Sequence, residues 1–164
     1  MGSDVFEVNF KLVQKLTNPW DLSSMAYWIC VTNDENWAIV KNQHVWGVSK
    51  RWQRTINRVK KGDLLVFYII PKRIGGIFEV ISDPYYDESQ IFYPVKTREE
   101  KFPYRVRVKP ILVLGKPIDF TPLVPRLSFI RNKQRWSAPL RRAMFEISEE
   151  DYRIIREYLE RFVK

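Results

Sequence analysis

The segment Asn33-Asp34-Glu35-Asn36, followed by Val45-Trp46-Gly47-Val48-Ser49-Lys50-Arg51, interleaves side-chain amides, an indole and two cations. Phe129-Ile130-Arg131-Asn132-Lys133-Gln134-Arg135-Trp136-Ser137 repeats the mixture further along the chain. Each residue type brings its own chemistry. An aromatic plane stacks on another flat ring, an amide offers a donor and an acceptor side by side, and Lys or Arg meets a phosphate. Together these are what recognition of a base outside a duplex requires, with stacking on one aromatic side chain contributing about 1–3 kcal/mol. Plainer uses exist for the same residues. Trp46 before Gly47 fits a core tryptophan at a turn. Asn33 fits a helix N-cap, a role that still leaves its amide nitrogen available. Trp136, in a polar and basic loop, is harder to assign to a core, whereas Trp28, Trp37 and Trp52 sit in apolar runs and are assigned to packing.

Catalytic and metal-binding patterns are scarce. His44 is the single histidine and Cys30 the single cysteine, so a His-rich metal site, a multi-cysteine site and an internal disulfide are all excluded. Cys30 lies inside the apolar run Tyr27–Val31, the setting of a buried structural thiol rather than of a nucleophile. Gly75-Gly76 fits a hairpin or bulge and no phosphate-loop spacing. Asp83, Asp87 and Glu88 read as a solvated loop face rather than a cation site. No metal, cofactor or catalytic residue is expected.

The elements that must position the two segments follow from periodicity. Phe6, Val8, Phe10 and Leu12 alternate with polar residues as a strand would, before Thr17-Asn18-Pro19-Trp20-Asp21 breaks the pattern. Residues 1–24 therefore read as an N-terminal arm or extension, and 25–164 as the domain proper. Ala26–Thr32 predicts a central strand. Thr32-Asn33-Asp34 predicts the start of a first helix, with acids in its first turn, ending before His44. Ser49 is a candidate cap for a second helix carrying Trp52, Ile56 and Val59 on one face. Lys61-Gly62-Asp63 reads as a turn. Leu64–Ile70 and Ile74–Ile81 predict a hairpin, and Tyr104–Leu114 a long strand with Arg105, Arg107 and Lys109 on one side and Pro110 at an edge or bulge. Pro117, Pro122 and Pro125 predict a loop-rich stretch. Ser148–Lys164 opens with a capping pattern and carries Tyr152, Ile155, Leu159 and Phe162 in one stripe, so an amphipathic terminal helix is expected. Short strands with two early helices and a late one imply an α+β domain around a curved, barrel-like sheet.

Composition sets the outer bounds. Hydrophobic residues are 45% and charged residues 29%, enough for one packed core domain. No apolar run nears the roughly 20 residues needed to span a bilayer, and the first residues lack a secretory pattern, so the expected location is cytoplasmic. The formal charge is +9, and it is unevenly spread. Between Asn36 and Gly62, and again between Phe120 and Phe145, the chain has no acid; those stretches hold thirteen of the 28 bases, leaving 15 bases against 19 acids elsewhere. Concentrated positive charge suits a polyanion, whereas a merely solvated surface mixes its signs.

Several further runs carry a resemblance. Tyr27-Trp28-Ile29-Cys30-Val31-Thr32-Asn33, Val45-Trp46-Gly47-Val48, Lys61-Gly62-Asp63 with Val66-Phe67-Tyr68, and Gly76-Ile77-Phe78-Glu79-Val80 resemble, in that order, the EVE domain. Phe129-Ile130-Arg131-Asn132-Lys133 with Arg135-Trp136-Ser137 resembles the corresponding loop of archaeal members. The match runs from about Met25 to Phe162. EVE domains belong to the PUA-like superfamily and are similar to YTH domains, which bind methylated adenosine. The resemblance implies a pseudo-barrel of mixed strands with a pocket for one extruded base. It assigns that pocket to Asn33, Asn36, Trp46, Gly47 and Val48, with Phe129, Asn132 and Trp136 opposite. Lys50, Arg51, Arg54, Arg131, Lys133 and Arg135 would hold phosphates. The YTH pattern has Ser or Cys directly after its cage Trp where this chain has Gly47, which puts the identity of the modification in question. The expected partner is single-stranded or locally unpaired nucleic acid, RNA favoured over DNA, with no membrane; oligomeric state is not legible. Two other readings stand beside this one: an interaction module using the arm, and an enzyme of RNA or nucleotides using acids such as Asp63 or Asp87.

Overall fold

The first strand separates two buried layers. In β1 (Tyr27–Thr32), Trp28 and Cys30 enter one apolar cluster while Ile29 enters the other. Its parallel neighbour β3 (Leu64–Ile69) repeats the alternation, with Leu65, Phe67 and Ile69 on the first side and Leu64, Val66 and Tyr68 on the second. Side chains of a strand alternate between faces, so a continuous apolar run is what a strand covered on both sides needs. The computed structural model describes residues 25–94 and 101–163. The N-terminal arm, with its Phe6–Leu12 strand pattern, lies outside the described residues.

The sheet runs β2-β6-β4-β3-β1-β7, with the short β5 (Tyr85–Tyr86) paired to β6. β3 and β4 (Arg73–Val80) form the expected hairpin. β6 (Tyr104–Asp119) is longer than its sequence suggested and takes Pro110 and Pro117 into its length. Two register shifts against β4 accommodate them, one of them between the pairs Ile77–Leu112 and Phe78–Pro110. One end of β6 pairs with β2 (Val45–Val48) and the rest with β4, so this bent strand turns the sheet into a half-barrel. Gly75 sits in the β3–β4 irregularity, where a Cβ would lie 2.6 Å from both Ile69 and Trp37 atoms; the close approach of the Trp37 ring is what needs glycine there.

Helix α1 (Asp34–Gln43) packs Trp37 and Val40 into the first cluster, capped by Asn33, whose Oδ1 accepts from Asn36 N at 2.8 Å. The second early helix is shorter than expected. Lys50–Trp52 forms one 3₁₀ turn and α2 (Gln53–Ile56) one α turn, and Ser49 makes no side-chain cap bond. After β7 (Met144–Ile147), α3 (Glu149–Glu160) covers the second cluster with Tyr152, Ile155 and Leu159, and Ser148 Oγ accepts from Asp151 N. The result is an α+β half-barrel with two early helices and an amphipathic terminal helix. Among the described residues no helix is long and apolar enough to cross a membrane.

Candidate functional site

At the C-terminal end of β1 the two halves of the sheet part around a cavity of about 240 Å³. Val31, Thr32 and Asn33 leave β1 along one side; Trp46, Gly47, Val48 and Ser49 form a second side from β2. Trp52 closes it from the 3₁₀ turn, Phe92 and Phe102 from the chain on either side of residues 95–100, and Arg141 and Arg142 from the approach to β7. Trp46 is 4% exposed and meets Phe67 edge-on at 5.3 Å, so its ring is held rigidly from behind. Its Nε1, like that of Trp37 in the core, is buried with no hydrogen-bond partner among the described residues. A buried donor left unpaired is costly.

Glycine at position 47 is a packing requirement. A Cβ there would lie 2.6 Å from the Phe102 carbonyl oxygen and 2.9 Å from the Phe92 ring. The Phe92–Phe102 wall is therefore seated directly on β2. Phe102 itself has φ 48, a left-handed conformation that non-glycine residues rarely adopt and that persists where surroundings over-determine it. Arg105 supplies that determination. Buried in β6, it donates from Nε to Phe102 O (3.0 Å), from one terminal nitrogen to Ser89 Oγ (3.0 Å), and from the other to Ser89 O (2.6 Å) and Lys101 O (3.0 Å). Its guanidinium also lies over the Phe92 ring and 3.6 Å from Asp87 Oδ1. Desolvation pulls its pKa below the ordinary arginine value, opposed by Asp87.

The expected residues divide into two groups. Asn33, Asn36, Trp46, Gly47 and Val48 all line the cavity. Of these, Asn36 is engaged with protein: its Nδ2 donates to Tyr93 O (3.1 Å) and its Oδ1 accepts from Tyr93 N (2.7 Å). It anchors the chain that carries Phe92, and so acts on the pocket as a brace. Asn33 uses Oδ1 for the helix cap and makes no bond from Nδ2 among the described residues. Lys50, Arg51 and Arg54 are exposed beside this face. The second segment goes elsewhere. Phe129 packs on Phe145 at 5.3 Å and Trp136 on Phe120 at 5.8 Å, both against the cluster under α3. Asn132 Oδ1 accepts from Gln134 N and Arg135 N within its own turn. Lys133 Nζ donates to the carbonyls of Val124 and Leu127, each at 3.0 Å. Arg131 and Arg135 are exposed but on this other loop. The wall facing Trp46 is thus made of Trp52, Phe92 and Phe102, in place of Phe129 and Trp136.

Sequence reasoning left Trp52 to packing because it falls on an apolar helical stripe; the 3₁₀ turn rotates it to the cavity. Arg141 and Arg142 were visible as members of the second acid-free stretch, but only the fold carries them to the rim. Phe92 and Phe102 had no local signal.

Among the described residues no carboxylate lines the cavity. Asp63 is buried and accepts from Ala26 N, Trp28 Nε1 and Lys60 N, each at 3.0 Å, which ties the start of β1 to the Lys61–Gly62 turn. Asp87 accepts from Ser89, which holds its carboxyl below the usual range. Cys30 is fully buried, and burial pushes its thiol well above the ordinary value. His44 caps α1 in a left-handed conformation. Among the described residues no three His, Cys, Asp or Glu side chains gather as a metal site needs.

These features define a class: an open half-barrel of mixed strands, wrapped by short helices, with an aromatic cavity at the end of its parallel pair. The sequence profile of the EVE domain matches residues 26–158, and the chain belongs to the EVE domain family. A UPF0310 protein of Pyrococcus horikoshii is 47% identical over 146 residues, covering 82% of this chain and 99% of its own. One from Mesorhizobium japonicum is 30% identical over 137 residues, covering 80% and 90%. Among solved structures, a hypothetical protein from Leishmania major aligns with TM-score 0.59 at 22% identity, over 84% of this chain and 96% of that one. The YTH domain of the Zygosaccharomyces rouxii MRB1 protein, in complex with N6-methyladenosine RNA, aligns with TM-score 0.57 at 16% identity, over 90% and 94%. At these identities the structural likeness is one of fold.

Proposed function

We propose that this protein is a non-catalytic nucleic-acid-binding module that takes one extruded, modified base into the cavity. The observation that carries the reading is the cavity's composition: four aromatic rings around about 240 Å³, an Asn33 amide nitrogen with no bond among the described residues, and arginines at the rim. That volume lies below the roughly 300–1,000 Å³ typical of drug-sized ligand sites, which suits a single flat ring system. Trp46 and Trp52 would sandwich the base, with Asn33 Nδ2 and the unpaired Trp46 Nε1 offering donors to it. Lys50, Arg51, Arg141 and Arg142 would hold the flanking phosphates. Extruding a base costs a few kcal/mol, least from a single strand, so an unpaired target is preferred. RNA is favoured over DNA because a neighbour in fold was solved with N6-methyladenosine RNA.

The test is fluorescence anisotropy with short labelled single strands, unmodified or carrying one N6-methyladenine or 5-methylcytosine, at two salt concentrations. A preference for a modified base that disappears in Trp52→Ala supports the reading. Equal, salt-sensitive binding of every strand would reduce the protein to a backbone binder, and no binding would turn attention to partner proteins.

A further inference from the structure

The charge of the base can be inferred as well, on the footing of the base-reading proposal. Aromatic cages ordinarily favour cations, because a ring face presents negative electrostatic potential. Here that attraction is already used from within. The Arg51 guanidinium lies over the Trp52 ring, 5.5 Å from its centroid. The Arg105 guanidinium lies over Phe92 at 5.3 Å, buried and held by four hydrogen bonds. Two of the four aromatic walls therefore carry a protein cation before any ligand arrives.

The surroundings push the same way. Arg141 and Arg142 line the cavity, and Asn33, which also lines it, is the N-cap of the ten-residue helix α1, whose positive dipole end therefore sits at the edge. Among the described residues no carboxylate lines the cavity to balance them. Among the described acids, Asp34 is held by both terminal nitrogens of Arg73 at 2.7 and 2.8 Å, and Asp87 faces Arg105. Glu35 is exposed and outside the lining. A cationic guest would meet rings already polarised by arginine, beside the further positive charge of Arg141 and Arg142, with no carboxylate among the described lining residues. A neutral, electron-rich base meets the same rings favourably.

We infer that the cavity selects neutral bases and rejects methylated bases that are protonated and cationic near neutral pH, accepting N6-methyladenine or 5-methylcytosine and excluding their isomers N1-methyladenine and N3-methylcytosine by charge. The members of each pair are positional isomers as neutral bases, and near neutral pH only the second binds an additional proton and becomes positively charged. Moving the methyl group also changes shape, so the test must separate charge from fit.

The experiment measures the ratio of Kd values for the two isomers of a pair, placed in otherwise identical single strands, for the unaltered protein, Arg51→Gln and the double variant Arg141→Gln/Arg142→Gln. Losses of phosphate contact cancel in the ratio because both strands share one backbone. The cationic isomer is expected to bind on the order of tenfold more weakly, the scale of one cation–π contact reversed, and the ratio should shrink several-fold in each variant. A cationic isomer bound equally or better overturns the inference. So does a ratio that favours the neutral isomer but stays unchanged in both variants, since shape would then account for it. If binding of neither isomer responds to Trp52→Ala, the base-reading proposal fails beneath it, an outcome distinct from either of those.

Discussion

Residues 33–51 and 129–137 look alike as sequence and do opposite things as structure. Both interleave indole, amide and cation. In the first, Asn33 lines a cavity, Lys50 and Arg51 are exposed between the lining residues Ser49 and Trp52, and among the described residues neither Asn33 Nδ2 nor the side chains of Lys50 and Arg51 are bound to the backbone. In the second, the polar groups turn inward. Asn132 closes its own turn, Lys133 ties two carbonyls, and Trp136 leans on Phe120. Ser128 and Phe129 are fixed by the buried Asp151 of α3. Composition identifies a segment able to recognise a base; whether it does depends on which groups the fold has left unpaired.

The contrast breaks most visibly at Asp151. Its carboxylate is 2% exposed and accepts from Ser128 N, Ser128 Oγ and Phe129 N. Asp151→Ala removes the buried acceptor of three donors on Ser128 and Phe129 and is expected to cost about 3 kcal/mol of stability. Chemical denaturation should show that loss while oligonucleotide affinity, measured where the variant remains folded, is unchanged. Affinity falling in step would return the second segment to the site. Next come the two tryptophans. Trp52→Ala should weaken binding of a modified strand by roughly 5- to 150-fold, the scale of one lost base stack, with little change in stability. Trp136→Ala should do the reverse, shifting the denaturation midpoint and leaving affinity alone. Gly47→Ala sharpens the comparison within the first segment. Its Cβ would lie 2.6 Å from the Phe102 carbonyl oxygen, so the Phe92–Phe102 wall must shift. An affinity loss on the order of tenfold, with overpacking of roughly 1–3 kcal/mol, is expected in anisotropy and denaturation respectively.

How much of this was legible follows from which interactions are local. β1, the Asn33 cap, the β3–β4 hairpin and the stripe of α3 are written in alternation, capping residues and helical spacing, and they stand where those patterns put them. Pro117 misled, because a bent strand paired through register shifts admits prolines that a regular strand excludes. Arg105 also misled. Alternation put it on a polar side with Arg107 and Lys109, yet it is 1% exposed, since Ser89, Lys101 and Phe102 close over it. That contact spans up to sixteen residues, and no periodicity reports it. The part of the cavity lining on β1, α1 and β2 was legible; the part made by Trp52, Phe92, Phe102, Arg141 and Arg142 depends on tertiary approach.

The smallest expected effect is the most discriminating, because it separates cations that look equivalent as sequence. A side chain that neutralises a phosphate releases counterions on binding, and removing it lowers the slope of log K against log salt by about 0.7 on a single strand. Arg141 lines the cavity and is exposed, so Arg141→Gln should reduce the slope by about that amount. Lys133 is also exposed as a residue, but its ammonium is held by the carbonyls of Val124 and Leu127. Lys133→Gln should therefore leave the slope unchanged and instead cost about 1 kcal/mol of stability through the lost hydrogen bonds. Anisotropy titrations over a range of salt concentrations give both slopes directly. If the two variants flatten the slope alike, the bound strand crosses both loops, and the division between the reading segment and the structural segment dissolves.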